Sequence, residues 1–277
     1  MTPRPGELRL ASVNLFSGRS PADGLIDHDR VAAAVAGLEA DVVALQEVDH
    51  AQPRSGLADQ AGLVAAATGA VTHRFVPLVA GTPGEPGWTR ADPHREPDGA
   101  ATPRGPTYGI ALASRRPVTA WHVLPLDPPR GRWPIPVPSA PGRVPLRLLW
   151  IRDEPRGAVA AVLDDPPLVV ACTHLSFVPG VNARQVRRVR TWLAALAAGL
   201  DRPAVLLGDL NLPGGLPARL TGWTSLVTAP TYPSPAPRFQ VDHVLATGLP
   251  PGTTWHADVV RLAFSDHRAV VVDLALP

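Results

Sequence analysis

A set of polar residues stands at the ends of apolar, strand-like runs in this chain, and their types suit the chemistry of a phosphate ester. Asn14 closes "LRLASVN", Glu47 closes "DVVALQE", Thr173 and His174 close "LVVACTH", and Asp209 with Asn211 close "PAVLLGDLN". Asp242 begins "VDHVLAT", and Asp266 and His267 precede the last run within "SDH". Glu47 and Asn14 offer hard oxygens to a divalent cation, a preference of Mg²⁺ or Mn²⁺ more than of Zn²⁺. One such ion would neutralise charge building on phosphoryl oxygens and on a leaving group. Asp209 can orient or deprotonate an attacking water, with Asn211 holding its hydrogen-bonding geometry. His174 and His267 can donate to the phosphate or move protons near neutral pH, and an acid such as Asp242 would fix a histidine's tautomer.

The stretch "LLGDLNLP" sharpens this. A period of two puts Asp209 and Asn211 on one face of a strand end and turns Leu210 and Leu212 the other way, with Pro213 ending the strand. The competing reading is that Asp209 caps a turn, as Asx residues before Pro and Gly commonly do.

These residues need a sheet to bring them together. Short runs rich in Val, Leu and Ala recur along the chain, adding "LRLLWI", "GAVAAVL" and "RAVVVDL" to those above. Helical patterns occur at "HDRVAAAVAGLEA", at "SGLADQAGLVAAATG" and in an arginine-rich segment ending near Gly199. Some strands are separated by helices and others follow directly, which predicts an α/β protein with mixed sheets and helices outside. Strand ends at one edge of such sheets converge, so the polar residues are expected to share one crevice. Residues 81–106, 125–145 and 229–238 lack any period, and their proline and glycine content excludes helix and central strand. Candidate site residues lie on both sides of each, so residues 1–277 read as a single domain with three long loops.

Composition sets the outer limits. A chain of 277 residues that is 45% hydrophobic and 18% charged can bury a substantial core. No apolar run is long enough to span a bilayer and no cleavable leader pattern opens the chain, so a cytoplasmic protein without a transmembrane segment is expected. The single cysteine, Cys172, excludes an internal disulfide and reads as a small core residue. The pI of about 9.3 arises because the basic residues are all arginine and almost nothing titrates between histidine and arginine, so a charge of only +2 says little about partners. Arg184, Arg187, Arg188 and Arg190 could meet phosphates, as could Arg130, Arg132, Arg143 and Arg147; the first group also fits the solvated face of a helix whose Val186, Val189, Leu193 and Leu196 face the core. Neither the GDxxD and GNH segments of a two-metal phosphatase nor an HExxH pair is present.

Taken in order, "SVN", "LQEV", "GIALASRRPV", "THL", "GDLN", "VDHV" and "SDHRAV" resemble the endonuclease/exonuclease/phosphatase superfamily, over residues 8–276. That superfamily includes pancreatic-type deoxyribonucleases, apurinic endonucleases, neutral sphingomyelinases and inositol polyphosphate 5-phosphatases. The resemblance implies a four-layer α/β sandwich of the deoxyribonuclease I type, two mixed sheets face to face between helices. It implies Glu47 as principal ligand of Mg²⁺ or Mn²⁺, with Asn14 beside it and Asp266 contributing. It also implies that Asp209 activates the water, that Asn211 and His174 contact the phosphate, and that His267 pairs with Asp242. Tyr108 is a candidate phosphate contact, against the alternative of a strand tyrosine with its hydroxyl at the surface. The expected function is a metal-dependent phosphodiesterase acting on a small molecule, a lipid head group or nucleic acid. A DNA nuclease is the alternative within the fold, and a non-catalytic binding protein the alternative outside it; no obligate protein partner is implied. Two positions depart from the pattern. Ile110 stands where the superfamily often has asparagine, and Asn182 stands three residues before Gln185 where an arginine is usual.

Overall fold

Alternation of apolar residues builds two sheets whose inner faces meet. The computed structural model describes residues 7–94, 105–129, 131–138 and 146–277, with side chains for all of these but 135–138, 146 and 147. In chain order the strands are β1 (Glu7–Asn14), β2 (Val42–His50), β3 (Thr72–Ala80), β4 (Thr89–Arg90), β5 (Thr107–Ser114), β6 (Val118–Leu126), β7 (Trp133–Pro138) and β8 (Leu146–Ile151). They continue with β9 (Arg156–Asp164), β10 (Pro167–His174), β11 (Ala204–Asp209), β12 (Thr224–Ser225), β13 (Asp242–Thr247), β14 (Thr254–Val260) and β15 (Ala269–Ala275). The helices are α1 (His28–Ala36), α2 (Gln60–Thr68), α3 (Val181–Leu200) and α4 (Leu216–Thr221).

One sheet has the order β14-β15-β1-β2-β5-β3-β4 and the other β12-β13-β11-β10-β9-β6. Both are mixed. β1 and β2 run parallel across the α1 crossover, β10 and β11 run parallel across α3, and the other pairings are antiparallel. Between the sheets lies an aliphatic core in which Leu8, Leu10, Val42 and Ala44 of one face Val170, Cys172, Val205 and Leu207 of the other. Val31 and Val35 of α1 and Val64 of α2 cover the outer face of the first sheet, packing on Ala11, Val13, Val43 and Leu45. Val186, Val189 and Leu193 of α3 do the same for the second, against Val169, Ala171 and Leu206. The result is the four-layer sandwich expected. Cys172 is fully buried, and burial pushes its thiol up to about 12.

The loop expectations need correction. The 125–145 stretch contains β7, which pairs antiparallel with β8 in a separate ribbon. Its prolines, Pro134, Pro136 and Pro138, alternate, so they occupy one set of strand positions, the set that turns its missing N–H away from the partner. The 81–106 stretch supplies β4, a two-residue edge strand on β3. Residues 95–104, 130 and 139–145 of these stretches, with Arg130 and Arg143, lie outside the described residues, as does the side chain of Arg147. Among the described residues no helix is long and apolar enough to cross a membrane.

Candidate active site

Register explains why residues far apart in sequence meet. His174 is paired with Asp209, and Asp209 with Asp242, so the three form one rung across β10, β11 and β13. This is the face that carries Cys172, Leu207 and Val244 into the intersheet core, so the core face becomes polar where the strands end. Gly208 makes the rung possible: it has φ +148°, and a Cβ there would fall on the Thr173 carbonyl. On the facing sheet Asn14 occupies the equivalent end of β1, paired with Gln46.

Glu47 does not close its strand, because β2 continues to His50. It sits instead in a bulge between Leu45 and Val48, in the left-handed region at φ 55°. The extra residue re-aims its carboxylate toward the cleft, a common use of bulges beside active sites.

Hydrogen bonds tie the two sheets together. Asn14 Nδ2 donates to Glu47 Oε1 at 3.2 Å and to Asp209 Oδ2 at 3.3 Å, while its Oδ1 accepts the Phe16 N–H. Asp209 Oδ2 also lies 3.5 Å from His174 Nε2 and 3.8 Å from His267 Nε2. His267 Nδ1 meets Asp242 Oδ2 at 2.9 Å, and the Tyr232 ring stands 4.8 Å from the imidazole.

The capping reading of "LLGDLNLP" is realised, and the strand-face reading holds for Asp209 but not for Asn211. Leu210 and Leu212 enter the outer core as expected, but the strand stops at Asp209. Asn211 adopts φ 49° and donates its N–H to Asp209 Oδ1 at 2.9 Å, an Asx turn. One carboxylate oxygen therefore closes the turn and the other faces the cleft. Asn211 reaches the site through that turn, where Nδ2 meets Leu175 O at 3.0 Å and His174 Nε2 at 3.3 Å. Asn182 Nδ2 anchors the turn by donating to Asn211 O at 2.7 Å, so the departure from the arginine pattern serves a structural contact. Ile110 is buried in the intersheet core.

Burial and charge separate the two histidines. Burial, helped by the positive charges of Arg156 and His267, holds His174 well below 6.5 and therefore neutral. Burial also opposes a charge on His267, but Asp242, Asp209 and Asp266 outweigh it and lift the imidazolium to about 10. Burial raises Asp209 to about 6. Burial and the Asp266 charge raise Glu47 to about 7. Such divided environments are how one site holds an acid and a base at one pH.

A cleft of about 890 Å³ opens over this centre. Tyr108 lines it and is buried, so its hydroxyl is not at the surface; burial and the charge of Glu47 push that hydroxyl well above 10. Sequence reasoning passed over Tyr232 and Arg156, which also line the cleft. Arg156 could have been found by the same strand-end rule, since it begins β9 next to Gly157, the partner of His174. Tyr232 stands in a proline-rich loop and carried no such signal. Arg184, Arg187, Arg188 and Arg190 lie on the exposed face of α3 and do not line the cleft. Arg190 donates to Thr221 O, and Arg188 lies 3.8 Å from Asp127.

Two sets of donor atoms among the described residues could hold a cation. Asp209, Asp242 and His267 place ligand atoms within 4.8 Å of one another, but the 2.9 Å Asp242–His267 bond and the raised His267 favour a proton-bearing pair there. Glu47 and Asp266 fit a hard cation better. Asp266 Oδ1 is buried without a hydrogen-bond partner, and the repulsion between the two acids is what a cation would relieve.

The chain is matched by a family model. The description "Endonuclease/Exonuclease/phosphatase family" covers residues 11–267. The chain belongs to the endonuclease/exonuclease/phosphatase family. Among solved structures it is similar to an endonuclease/exonuclease/phosphatase from Beutenbergia cavernae DSM 12333, with 25% identity over 98% of this chain and 72% of that one, TM-score 0.64. It is also similar to sphingomyelinase C from Streptomyces griseocarneus, with 17% identity over 96% of this chain and 99% of that one, TM-score 0.61. A Bacteroides thetaiotaomicron mannosyl-6-phosphatase shares 16% identity over 96% of this chain and 99% of that one, TM-score 0.60. No curated protein sequence matches this chain. The family and these named neighbours place the fold among hydrolases of phosphate esters.

Proposed function

We propose that the cleft hydrolyses a phosphodiester by attack of an activated water at phosphorus, in the presence of Mg²⁺ or Mn²⁺. The observation that carries this is Asp209: a buried carboxylate held at about 6, with one oxygen fixed in a turn and the other within 3.8 Å of both histidines. A group near 6 can be ionised at neutral pH and still accept a proton effectively, the property a general base needs. His267, kept cationic by Asp242, faces the charge that builds on the phosphoryl oxygens. Asn211 holds neutral His174 in place by donating to its Nε2, and a phosphate oxygen that takes the place of that acceptor can receive the same amide hydrogen. Asn14 keeps Glu47 and Asp209 apart by donating to both. Glu47 and Asp266 would hold the cation, which supplies charge neutralisation at the phosphate when bound. Because the site draws on both sheets, residues 1–277 serve as one catalytic unit in this reading.

The test is release of p-nitrophenolate from bis(p-nitrophenyl) phosphate with Mg²⁺, then Mn²⁺, then EDTA, beside plasmid nicking under the same conditions. Cation-dependent turnover of the diester is expected, lost in EDTA. Turnover unaffected by chelation would overturn the cation assignment, and nicking that outpaces ester turnover would make the chain a nuclease.

A second prediction concerns the cation and pH. Glu47 is raised in the fold, so its contribution to stability is complete below its ordinary value and is lost as pH rises through about 7. A bound cation requires the ionised form and offsets that loss. Mg²⁺ or Mn²⁺ is therefore expected to raise Tm more at pH 8 than at pH 5.5, measured by calorimetry, and Glu47→Gln to remove most of the difference. Equal shifts at both pH values would place the cation elsewhere.

A further inference from the structure

The cleft carries more rings than hydrolysis of a bare phosphate needs. Phe16, Tyr108, Trp133, Phe177, Tyr232 and Phe239 all line it. They include both tyrosines and three of the five phenylalanines of the chain. The fully buried intersheet core, by contrast, is built of aliphatic residues and one cysteine without a single ring. The cleft thus holds rings that the intersheet core lacks, while Phe75, Phe264 and Trp223 are buried in the outer cores, and Trp133 and Phe239 remain 38% and 55% exposed at the cleft.

Three features narrow what those rings would meet. The first is size: at about 890 Å³ the cleft is at the upper end of small-ligand sites, with room for a ligand of nucleotide size. The second is the lining: Trp133, Pro134 and Ile151 of the β7–β8 ribbon, Phe177 to Pro179, and Tyr232 with Phe239 all border the cleft, so rings and apolar side chains from three separate segments can meet its contents. The third is charge. Arg54 is neutralised by Asp49 at 2.6 Å and Arg156 by Asp153 at 2.8 Å, whereas Arg152 and Arg19, also on the walls, have no carboxylate partner among the described residues. Arg152 is held with its guanidinium 4.4 Å from the Trp88 ring centroid. Arg152 and Arg19 can thus meet the phosphate of a ligand whose ring lies among the aromatics, beside the acids Glu47, Asp209 and Asp266 of the same lining.

We infer that the substrate is a small phosphoester carrying a planar aromatic ring, of nucleotide type, whose ring stacks among the cleft aromatics while its phosphate lies at Asp209. The chemistry rests on the phosphoesterase reading; the recognition of the ring does not. Stacking of a base on an aromatic side chain changes affinity by roughly tenfold or more.

Two measurements separate these layers. Calorimetric binding of adenosine 5′-monophosphate and of ribose 5-phosphate to the full chain isolates the ring, with the first expected to bind at least about tenfold tighter. Phe239→Ala and Trp133→Ala are each expected to pull that ratio toward unity, and circular dichroism checks that the variants fold. Turnover of p-nitrophenyl esters of thymidine 5′-phosphate, methyl phosphate and octyl phosphate shares one leaving group, and the thymidine ester is expected to have the highest kcat/KM. Equal binding of the two phosphates, or preference for the octyl ester, overturns the inference while leaving the hydrolase intact. Selective binding of adenosine 5′-monophosphate without turnover of any ester upholds the recognition of the ring and overturns the phosphoesterase reading.

Discussion

Asp209→Asn is expected to lower phosphodiester hydrolysis by about 10²–10⁴-fold, the usual contribution of a general base, and to remove the pH dependence of part of the protein's stability. Asparagine keeps an oxygen for the Asn211 N–H, so the turn that shapes the site survives. What it removes is the proton acceptor. The stability effect follows from the raised carboxyl at about 6. A carboxyl that is raised in the fold contributes fully below its unfolded value near 3.8, and loses that contribution as pH climbs through its folded value. The wild type should therefore lose stability relative to the variant between pH 4 and pH 7, by an amount on the order of 1–3 kcal/mol in cation-free buffer. Thermal unfolding of both proteins across that range reads the effect. A difference in Tm that is flat with pH would mean that Asp209 is not held high, and the general-base role would lose its physical basis. Strain of this kind, retained at a site and offset by the surrounding core, marks function more than stability.

How far this site was legible in sequence depends on which level of structure places each residue. Asn14, His174, Asp209 and Asp242 were readable because they end or begin β1, β10, β11 and β13, and adjacent strands carry their ends to one rung. The helices α1, α2 and α3 were readable from their spacing, and the two crossovers among them account for the parallel pairs. Glu47 was found as a residue type but misplaced as a strand end, since a bulge with φ 55° leaves no mark in a pattern of apolar residues. β3 and β6 gave no clear signal because Pro77 and Pro125 interrupt them, one at a register irregularity and the other near a strand end. β7 was hidden for the opposite reason: prolines at alternate positions look like a loop, yet alternate positions are what an edge tolerates. Tyr232 was beyond reach, because its approach to His267 is made by a loop that no local pattern folds.

The second large effect belongs to Asp242, which never needs to touch substrate. Its carboxylate receives His267 Nδ1 at 2.9 Å, and with Asp209 and Asp266 it keeps that imidazole cationic to about 10 despite burial. Asp242→Asn removes the charge and lets the ring take the wrong tautomer, a change expected to cost about 10²–10⁴-fold in rate. The pH profile distinguishes this from a general loss of packing. In the wild type His267 stays protonated through the working range, so no decline above pH 7 arises from it. In the variant, burial acts without its main opponent, and activity should fall as pH rises through a midpoint near or below 7. Stability should respond with matching sign. A histidine raised in the fold stabilises fully below about 6.5 and loses that contribution as pH rises through about 10, so the variant's deficit should be largest below pH 7 and shrink toward pH 10. A variant with lowered rate but an unchanged pH profile would leave Asp242 as a packing residue, and would remove the charge on His267 from the mechanism.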